Sequence, residues 1–438
     1  MTTLDETHDP HRRSWVESAN APDTDFPIQN LPIGVFSLDG RSPRCGIAIG
    51  DAVLDIGIAH DKGWFTGDAA IAAESAITAS LNDLFSLGCS PLRELRRQAA
   101  SILAHDGPLA KSTRAAREGL LHARDACAMQ LPVRVGNYTD FYAGIYHAKA
   151  AGALLTPEDP LPKNYKWVPI AYHGRASSVR VGGGTIKHPH GQRPPEDDGR
   201  PGFGPSRRLD FELEMGFFIG KGNALGQPID IAGAGEHIVG FTLLNDWSAR
   251  DIQRWEMFPL GPFLSKNFST SISPWIVTAD ALLPFRTPAM ARDAVDPAPL
   301  DYLLDADDQR RGGIDVALSV QLQTALMRGK GMPAVEILHS NARHLYWTPA
   351  QMVAHHTCGG CDLQPGDLIG TGTISGPEPD QLSSMLELTA AGARPITLPS
   401  GERRGFLEDG DEVVFTGKCH RDGFVSIGFG ELRGRITA

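Results

Sequence analysis

The sequence lacks the marks of a membrane-bound, secreted or nucleic-acid-binding protein. No apolar run among its 438 residues approaches the length that spans a bilayer. Residues 1–30 are polar and lack the apolar segment of a secretory signal, which predicts a cytoplasmic location. The net charge is -11 and no basic stripe carries interleaved aromatic residues, so we expect neither nucleic acid nor a membrane as a partner.

Cysteine is also scarce. The six cysteines are too few, in a chain of this length, to form a disulfide framework, and four resemble small buried apolar residues: Cys45, Cys89, Cys127 and Cys419. Cys358 and Cys361 form a single CxxC pair that follows a predicted helix and precedes a turn. A zinc site needs a second pair of ligands and a redox motif opens a helix after a strand, so we do not predict either function for this pair.

Regular alternation of strands and helices is missing too, as is a phosphate-binding glycine fingerprint. Gly182–Gly184 follows a predicted strand with no helix behind it, which indicates a turn. From Pro132 onward, glycine and proline separate alternating strands such as Ile314–Leu322, so we expect a mostly β fold with some α. The length exceeds that of a single core, which predicts two domains after the polar leader, with a boundary between residues 125 and 132.

What the sequence does contain is a strand pattern with acids on one side. Between Leu209 and Phe218, apolar residues alternate with Asp210, Glu212 and Glu214, which is the period of a strand with one buried and one polar face. Glu212 and Glu214 then point the same way and repel each other. A cation, a proton or exposure to water would relieve that repulsion, and the pattern leaves all three open.

Two further acids lie beside apolar strands. Asp246 ends a stretch that begins at Ile238, and Asp140 lies in an aromatic cluster, Tyr138–Tyr142. With the two glutamates they form a set of four carboxylates without a nearby cysteine. Such a set favours a hard divalent cation, Mg²⁺ or Ca²⁺, over zinc.

A candidate general base and its partner are far apart in the chain. His147 lies on the same segment as Asp140, and a histidine that acts as a base needs a partner to orient its second nitrogen. Glu387 is a candidate partner, because it interrupts a predicted apolar strand, Met385–Thr389, where a buried acid needs a partner or water. A histidine in such a place is more often structural, and only the nearby acids favour catalysis.

Three hydrogen-bond donors follow the predicted strand that ends at Asp246. Arg250 and Gln253 share a face if the segment after Asp246 is helical, and Lys266 adds a third donor. Near a cation, these donors would stabilise negative charge that develops on a substrate oxygen. An ion-pair network around the acids fits the same spacing.

Several motifs resemble those of the fumarylacetoacetase (fumarylacetoacetate hydrolase) family, from about residue 31 to the C-terminus. The motifs are Tyr172–Ser178, Leu213–Met215, Asn245–Gln253, Pro259–Leu264, Gly372–Glu378 and Ser384–Leu388. The resemblance implies a small SH3-like β-barrel over residues 31–130 and a larger mixed β-roll, which carries the site, over residues 131–438. It also implies a homodimer that hydrolyses the small diketo acid 4-fumarylacetoacetate to fumarate and acetoacetate, the last step of tyrosine and phenylalanine breakdown.

Matched residue by residue, the family assigns roles to the candidates. The divalent cation would be held by Asp140, Glu212, Glu214 and Asp246. The catalytic histidine matches His147, and the acid that orients it and the attacking water matches Glu387. The other matches are oxyanion and leaving-group donors at Arg250, Gln253 and Lys266, substrate contacts at Tyr142, Tyr172, Arg250, Gln253 and Thr373, and a second, structural cation site near Lys266 and Thr270.

The chain departs from the family pattern at two positions. Thr156 stands where the family carries an arginine after its catalytic histidine, and Met257 stands where the family has a tyrosine. Both changes remove polar groups that contact substrate, and losing a bidentate carboxylate contact weakens binding by on the order of a few kcal/mol if nothing replaces it. An acylpyruvate or another diketo acid is therefore an alternative substrate, and a decarboxylase or isomerase of the same superfamily is an alternative activity.

Overall fold

The structure is a computed structural model that describes residues 3–155, 157–195 and 199–438. Thr156, one of the two departures from the family pattern, lies outside these residues. Within the described ranges, none of the helices has the length and apolar character needed to cross a bilayer.

The part of the chain before residue 132 carries one antiparallel sheet and six helices. Its strands are β1 (Ile33–Ser37), β2 (Arg44–Ile49), β3 (Ala52–Asp55), β4 (Leu121–Ala123) and β5 (Ala128–Gln130). Its helices are α1 (Ile56–Asp61), α2 (Asp68–Ser75), α3 (Asn82–Ser86), α4 (Cys89–Leu103), α5 (Ala110–Ala115) and α6 (Arg117–Leu120). The strand order is β4-β3-β2-β1-β5, so the two later strands, β4 and β5, lie at the two edges of the sheet.

The polar leader packs against this sheet. Trp15, Val16, Phe26 and Ile28 are buried, and Trp15 Nε1 donates a hydrogen bond of 3.0 Å to Ile102 O at the end of α4. The leader therefore adds apolar side chains to the core of the N-terminal part.

The part of the chain after residue 137 carries the remaining strands and helices. Its strands are β6 (Tyr138–Phe141), β7 (Ala171–Gly174), β8 (Val179–Val181), β9 (Thr185–Lys187), β10 (His190–Pro195), β11 (Pro201–Pro205), β12 (Leu209–Asp210), β13 (Leu213–Ile219), β14 (Ile238–Asp246), β15 (Ser248–Ala249), β16 (Thr270–Ile272), β17 (Val277–Thr278), β18 (Arg286–Thr287), β19 (Gly313–Ile314), β20 (Ala317–Gln323), β21 (Val335–Asn341), β22 (Leu368–Gly370), β23 (Ile396–Thr397), β24 (Arg403–Arg404), β25 (Glu412–Cys419) and β26 (Ile427–Thr437). Its helices are α7 (Ile145–Leu155), α8 (Ile231–Ala234), α9 (Arg250–Glu256), α10 (Ala306–Arg311), α11 (Ala325–Gly329), α12 (Pro349–Thr357) and α13 (Met385–Leu388).

Two large sheets of this second part share a core. One has the order β7-β6-β22-β13-β14-β16-β8, with β17 also paired to β14, and the other has the order β21-β20-β25-β26-β9. Phe211, next to β13, meets Phe415 of β25 in an edge-to-face contact with ring centroids 5.7 Å apart. The predicted fold, mostly β with some α, is confirmed.

The acidic strand pattern differs from the prediction in one respect. Residues 209–218 form two strands, β12 and β13, separated by Phe211 and Glu212, and both faces are buried. Of the three ways to relieve the repulsion between Glu212 and Glu214, exposure to water is therefore excluded. The second sheet covers the apolar side, and the acids point to other charged and polar groups inside the protein.

The segment around Glu387 also differs from the prediction. Met385–Leu388 is a short helix, α13, rather than a strand, and Ser384 caps it by accepting a hydrogen bond from Glu387 N. The apolar residues on either side of the acid fit both periods over so few residues, so the pattern did not separate them.

Candidate metal and catalytic site

Three carboxylates meet at the ends of adjacent strands. β22 pairs in parallel with β6 and antiparallel with β13, which pairs in turn with β14. Asp140 of β6, Glu214 of β13 and Asp246 at the end of β14 each offer an oxygen, and these oxygens lie within 4.8 Å of one another. Together they form a buried acidic triad able to bind a metal ion.

Burial and mutual repulsion disfavour the ionised forms of the three carboxylates of the triad. Burial raises the pKa of Asp140 and of Glu214 well above the ordinary values, and repulsion from Asp246 and the other acids raises both further. Burial also raises the pKa of Asp246, although the ammonium of Lys266 opposes that shift. A divalent cation would remove the repulsion that a proton otherwise has to relieve.

The backbone around the triad leaves one carboxylate oxygen free for a ligand. Gly372 N donates to Asp140 Oδ1 at 3.2 Å and to Glu214 Oε2 at 3.1 Å. Glu214 Oε1 is buried and has no hydrogen-bond partner among the residues that the structure describes. An unpaired buried carboxylate oxygen is costly, so the donor set fits a hard cation that takes oxygen ligands.

Two glycines make room for these acids. A Cβ at Gly370 would lie 2.5 Å from Asp140 Oδ1, and a Cβ at Gly372 would lie 2.1 Å from Phe141 O. Gly372 also has a φ of +76°, which other residues rarely adopt. The loop after β22 can therefore approach the carboxylates closely only because it lacks side chains at these positions.

The fourth predicted ligand, Glu212, has cationic partners of its own. Its Oε1 lies 2.6 Å from Arg250 Nη1 and its Oε2 lies 2.5 Å from Lys266 Nζ. Burial alone would raise the pKa of Glu212, but the charges of Lys266 and Arg250 outweigh it and hold the pKa well below the ordinary value. Lys266 Nζ also lies 2.6 Å from Asp246 Oδ2, so it links Glu212 to the triad. Direct ligation of a metal by Glu212 stays a prediction.

Arg250 and Gln253 share one face of α9, as their spacing predicts. Arg250 Nε donates to Asp210 Oδ2 at 2.8 Å, and Nη1 donates to Glu212 and, at 3.1 Å, to Gln253 Oε1. Arg250 Nη2 is buried and has no partner in the described part of the chain. This N–H group is the spare donor that a substrate oxygen would need.

His147 and Glu387 are brought together from α7 and α13. His147 Nδ1 lies 2.9 Å from Glu387 Oε2, and both side chains are buried. Ser375 Oγ and Ser384 Oγ each donate to the Glu387 carboxylate at 2.8 Å. Burial opposes ionisation of Glu387, but His147 and the two serines hold its pKa below the ordinary value. The pair has the arrangement of a base and the acid that orients it.

The residues assigned to substrate contact surround these groups. Tyr172 Oη donates to Asp246 Oδ2 at 2.8 Å and to Asp140 Oδ2 at 3.2 Å. Tyr142 packs edge to face on His147 with ring centroids 5.9 Å apart. Burial raises the pKa of both phenols, so both remain donors at neutral pH.

The second predicted cation site lies beside the triad. Thr270 Oγ1 donates to Asp246 Oδ1 at 3.4 Å, and Lys266 Nζ lies against the same carboxylate. Thr373, predicted to contact substrate, is buried in the loop that follows β22.

Some residues of the site were not predicted from the sequence. Asp210 accepts a hydrogen bond from Arg250, and Ser375 donates one to Glu387. Gly370 and Gly372 allow the backbone to approach the triad closely. Asp210 belongs to the same alternating run as the two glutamates, which was the one available signal. Gly372 and Ser375 lie in the motif Gly372–Glu378, but their contacts join segments that are remote in the chain, so no local pattern indicates those contacts.

The CxxC pair lies apart from this cluster. Cys358 and Cys361 are exposed and free, and each Sγ faces a backbone carbonyl of its own turn, at His355 and Asp362. The absence of a zinc or redox role for this pair stays a prediction.

Comparison with known proteins gives a consistent result over nearly the whole chain. Residues 137–437 match the family model "Fumarylacetoacetate (FAA) hydrolase C-terminal", and residues 29–132 match the model "Fumarylacetoacetase N-terminal". A fumarylacetoacetase of Arabidopsis thaliana is 46% identical over 417 residues, which cover 95% of this chain and 96% of that protein. The fumarylacetoacetase of Homo sapiens is 45% identical over 420 residues, which cover 95% of this chain and 97% of that protein.

A solved structure shares the fold. It is a fumarylacetoacetate hydrolase from the psychrophilic Exiguobacterium antarcticum, 17% identical, with a TM-score of 0.50. The match covers 93% of this chain and 99% of that one.

Proposed function

This chain belongs to the fumarylacetoacetate hydrolase family, and from that membership we propose that it hydrolyses a carbon–carbon bond of 4-fumarylacetoacetate to give fumarate and acetoacetate. The observation that carries the proposal is the buried His147–Glu387 pair beside an acidic triad and an unpaired Arg250 N–H group. Hydrolysis needs a base for water, a cation for the diketone and a donor for the oxyanion. The His147–Glu387 pair and Arg250 supply the first and the last, and the triad would hold the cation.

We propose Mg²⁺ or Ca²⁺ as the cation, held by Asp140, Glu214 and Asp246, with Glu212 as the fourth acid of the set. An all-oxygen donor set suits these ions, and the free Glu214 Oε1 offers a ligand atom. When bound, such a cation polarises diketo oxygens and lowers the free energy of an enolate leaving group.

His147 Nε2 is the atom that takes the proton from water. Its Nδ1 faces Glu387 Oε2, and a carboxylate there favours the tautomer with hydrogen on Nδ1 and a free lone pair on Nε2. The lowered pKa of Glu387 keeps that acid ionised throughout the neutral range. The resulting hydroxide adds to the carbonyl carbon of the fumaryl group, which becomes the new carboxylate of fumarate.

The addition places negative charge on the carbonyl oxygen, and Arg250 Nη2 is free to donate to it. Gln253 and Lys266 lie beside Arg250 and complete the donor set. The carbon–carbon bond then breaks, and its electron pair leaves with the acetoacetate fragment as an enolate. That fragment takes a proton, and fumarate leaves as the carboxylate.

A second candidate substrate is an acylpyruvate. Met257 directly follows α9, and the family resemblance implies a substrate-contacting tyrosine at this position, so we propose that one polar substrate contact is missing. A decarboxylase or isomerase needs the acids but not a base paired with an orienting acid, and the His147–Glu387 pair therefore favours hydrolysis.

We further propose that the enzyme is a homodimer of the cytoplasm. The family resemblance supports the homodimer. All six cysteines are free, which fits a reducing compartment.

The test is an assay of the purified full-length protein with Mg²⁺ on 4-fumarylacetoacetate and a panel of acylpyruvates. We expect 4-fumarylacetoacetate to have the highest kcat/KM. A higher kcat/KM on an acylpyruvate would identify that compound as the preferred substrate in place of 4-fumarylacetoacetate. Release of CO₂, or formation of an isomer in place of two acids, would contradict hydrolysis.

The variant His147→Ala tests the role of the base. We expect kcat to fall roughly 10²–10⁴-fold, the range for loss of a general base, with the fold and Mg²⁺ affinity retained. His122→Ala is the matched control, because His122 lies 3.5 Å from Asp55 in the N-terminal sheet and has the same kind of carboxylate partner. Near-normal turnover of His147→Ala would remove this residue from the mechanism.

A further inference from the structure

We infer that Asp210 is a positioning residue that fixes the oxyanion donor Arg250 and the orienting acid Glu387 relative to each other. The inference rests on the proposed function, because it concerns how the same site is held. Arg250 and Glu387 lie on separate elements that are remote in the chain, and the Asp210 carboxylate contacts both of those elements.

Strand pairing places Asp210 beside Arg250. β12 and β15 are antiparallel, with Leu209 opposite Ala249 and Asp210 opposite Ser248. Because β15 runs directly into α9, this register brings the Asp210 carboxylate to the first residue of the helix. The contact that results is the 2.8 Å hydrogen bond from Arg250 Nε to Asp210 Oδ2.

The same carboxylate binds the start of α13. Met385 N donates to Asp210 Oδ1 at 2.7 Å, and Leu386 N donates to Oδ2 at 2.9 Å. These are the first two residues of the helix, whose N–H groups have no partner inside it. Glu387 is the next residue, so a displacement of Asp210 would move the acid that holds His147.

α13 depends on such an external contact. It has four residues, which is too short for a helix to be stable by itself. Ser384 accepts a hydrogen bond from Glu387 N, and Asp210 accepts the two preceding N–H groups. Asp210 of β12 therefore helps to fix the orientation of α13 and, with it, of Glu387.

Hydrogen bonds occupy both oxygens of the Asp210 carboxylate and fix its position. Each of its oxygens accepts two hydrogen bonds, since Phe211 N also donates to Oδ1 at 2.8 Å, and the side chain is fully buried. All four groups around it are donors. An amide in place of the carboxylate would turn an NH₂ group toward donors, so Asn cannot reproduce the arrangement despite its equal size.

Asp411 offers a matched control elsewhere in the molecule. It is also fully buried, accepts from Arg404 Nε at 2.9 Å and Arg404 Nη2 at 3.1 Å, and accepts from Glu408 N at 2.9 Å. It thus makes the same types of hydrogen bond, to an arginine and to the backbone, but none of these bonds goes to α9 or α13. A purely structural role predicts similar behaviour of the two asparagine variants.

The experiment compares Asp210→Asn, Asp411→Asn and the wild-type full-length enzyme with Mg²⁺ and 4-fumarylacetoacetate. For Asp210→Asn we expect kcat to fall roughly 100-fold or more, as for loss of an oxyanion donor, with KM and Mg²⁺ affinity changed far less. For Asp411→Asn we expect a lower melting temperature with kcat retained. Equal kcat in Asp210→Asn and wild type, at a temperature where both are folded, would overturn the inference.

Combination with Glu387→Gln tests whether Asp210 acts through Glu387. Because Asp210 acts partly through Glu387 and partly through Arg250, the double variant Asp210→Asn/Glu387→Gln should lose less kcat than the product of the two single losses. Multiplication of the two losses would overturn the inference.

Leu386→Pro serves if Asp210→Asn does not fold. Proline at this second position of α13 removes the N–H donor to Asp210 Oδ2, disfavours the helical conformation of Met385 and leaves the contact with Arg250. Leu386→Ala keeps that N–H group and is its control. We expect lower kcat for the proline variant than for the alanine variant, and equal values would contradict the inference.

A crystal structure of Asp210→Asn separates this inference from the proposed function. We expect displacement of α13 and of the Arg250 side chain whichever substrate the enzyme uses. Unchanged positions of both would overturn the positioning role, whereas an inactive wild-type enzyme would contradict only the proposed reaction.

Discussion

Glu212 and Glu214 are two residues apart and both are buried, yet their pKa values move in opposite directions. Glu212 lies between Arg250 and Lys266, and these two cations lower its pKa although burial opposes them. Burial raises the pKa of Glu214, and its nearest charged neighbours are the acids Asp140 and Asp246, which raise it further. The negative charge of Glu212 is thus compensated by neighbouring cations, whereas that of Glu214 is not.

The difference shows where the protein supplies the positive charge that compensates a buried carboxylate and where a bound cation would have to supply it. Around Glu212 the chain provides its own cations, Arg250 and Lys266, which compensate its charge. Around Glu214 it provides two more carboxylates and a free oxygen. A buried acidic cluster of this kind is stable only with protons or a cation, and at neutral pH a divalent cation is the better partner.

The largest effect that separates the two regions is expected from Glu214→Gln. The variant loses a ligand charge, so we expect activity to fall roughly 10³-fold or more and Mg²⁺ to stop raising the melting temperature. In EDTA its stability should equal or exceed that of the wild type, because the repulsion within the triad is smaller. Glu336→Gln, an exposed strand glutamate, is the control. An unchanged response to EDTA would refute the triad as the metal site.

A smaller effect of opposite sign is expected from Glu212→Gln in the metal-free protein. Removal of this carboxylate leaves Arg250 and Lys266 with one acid each, and breaking a buried ion pair costs on the order of 3 kcal/mol. Urea unfolding in EDTA measures the free energy of unfolding of both variants. Equal stability of the two glutamine variants would remove the distinction between the regions.

The smallest effect is a pH dependence of the stabilisation by Mg²⁺. A carboxyl whose pKa is raised by folding stabilises the fold below its unfolded pKa of about 4, and that contribution is lost as the pH rises through the folded pKa. Asp140 and Glu214 have this sign, so the metal-free protein should lose stability with rising pH and Mg²⁺ should restore it.

Glu212 and Glu387 have lowered pKa values and the opposite sign. Their contribution is lost as the pH falls, and it is present with and without Mg²⁺. The rise in melting temperature on adding Mg²⁺ should therefore be larger at pH 8 than at pH 5. Equal rises at both pH values would contradict the assignment of excess charge to the triad.

The sequence was informative where a strand pattern carries the relevant group. Asp246 lies at the end of β14 as its apolar run predicts, and Arg250 and Gln253 share a face of α9. The prediction was less complete for Glu212, because the link through Lys266 depends on a loop that returns to the sheet from residues further along the chain.

Tertiary contacts explain the parts that could not be predicted. α13 forms only because Asp210 and Ser384 satisfy its first N–H groups, and residues 385–388 by themselves do not select a helix. The loop at Gly370 and Gly372 approaches the acids at a distance that no local pattern encodes. Both cases depend on side chains that meet only after the sheets have formed.

The most direct test of the account is a crystal structure of the protein grown with Mn²⁺, with the ion located by its anomalous scattering. We predict the strongest peak among Asp140, Glu214 and Asp246, about 2–2.6 Å from their oxygens as for hard divalent cations, with Lys266 still against Glu212. A strongest peak elsewhere, or none in crystals that diffract well, would contradict the triad as the metal site.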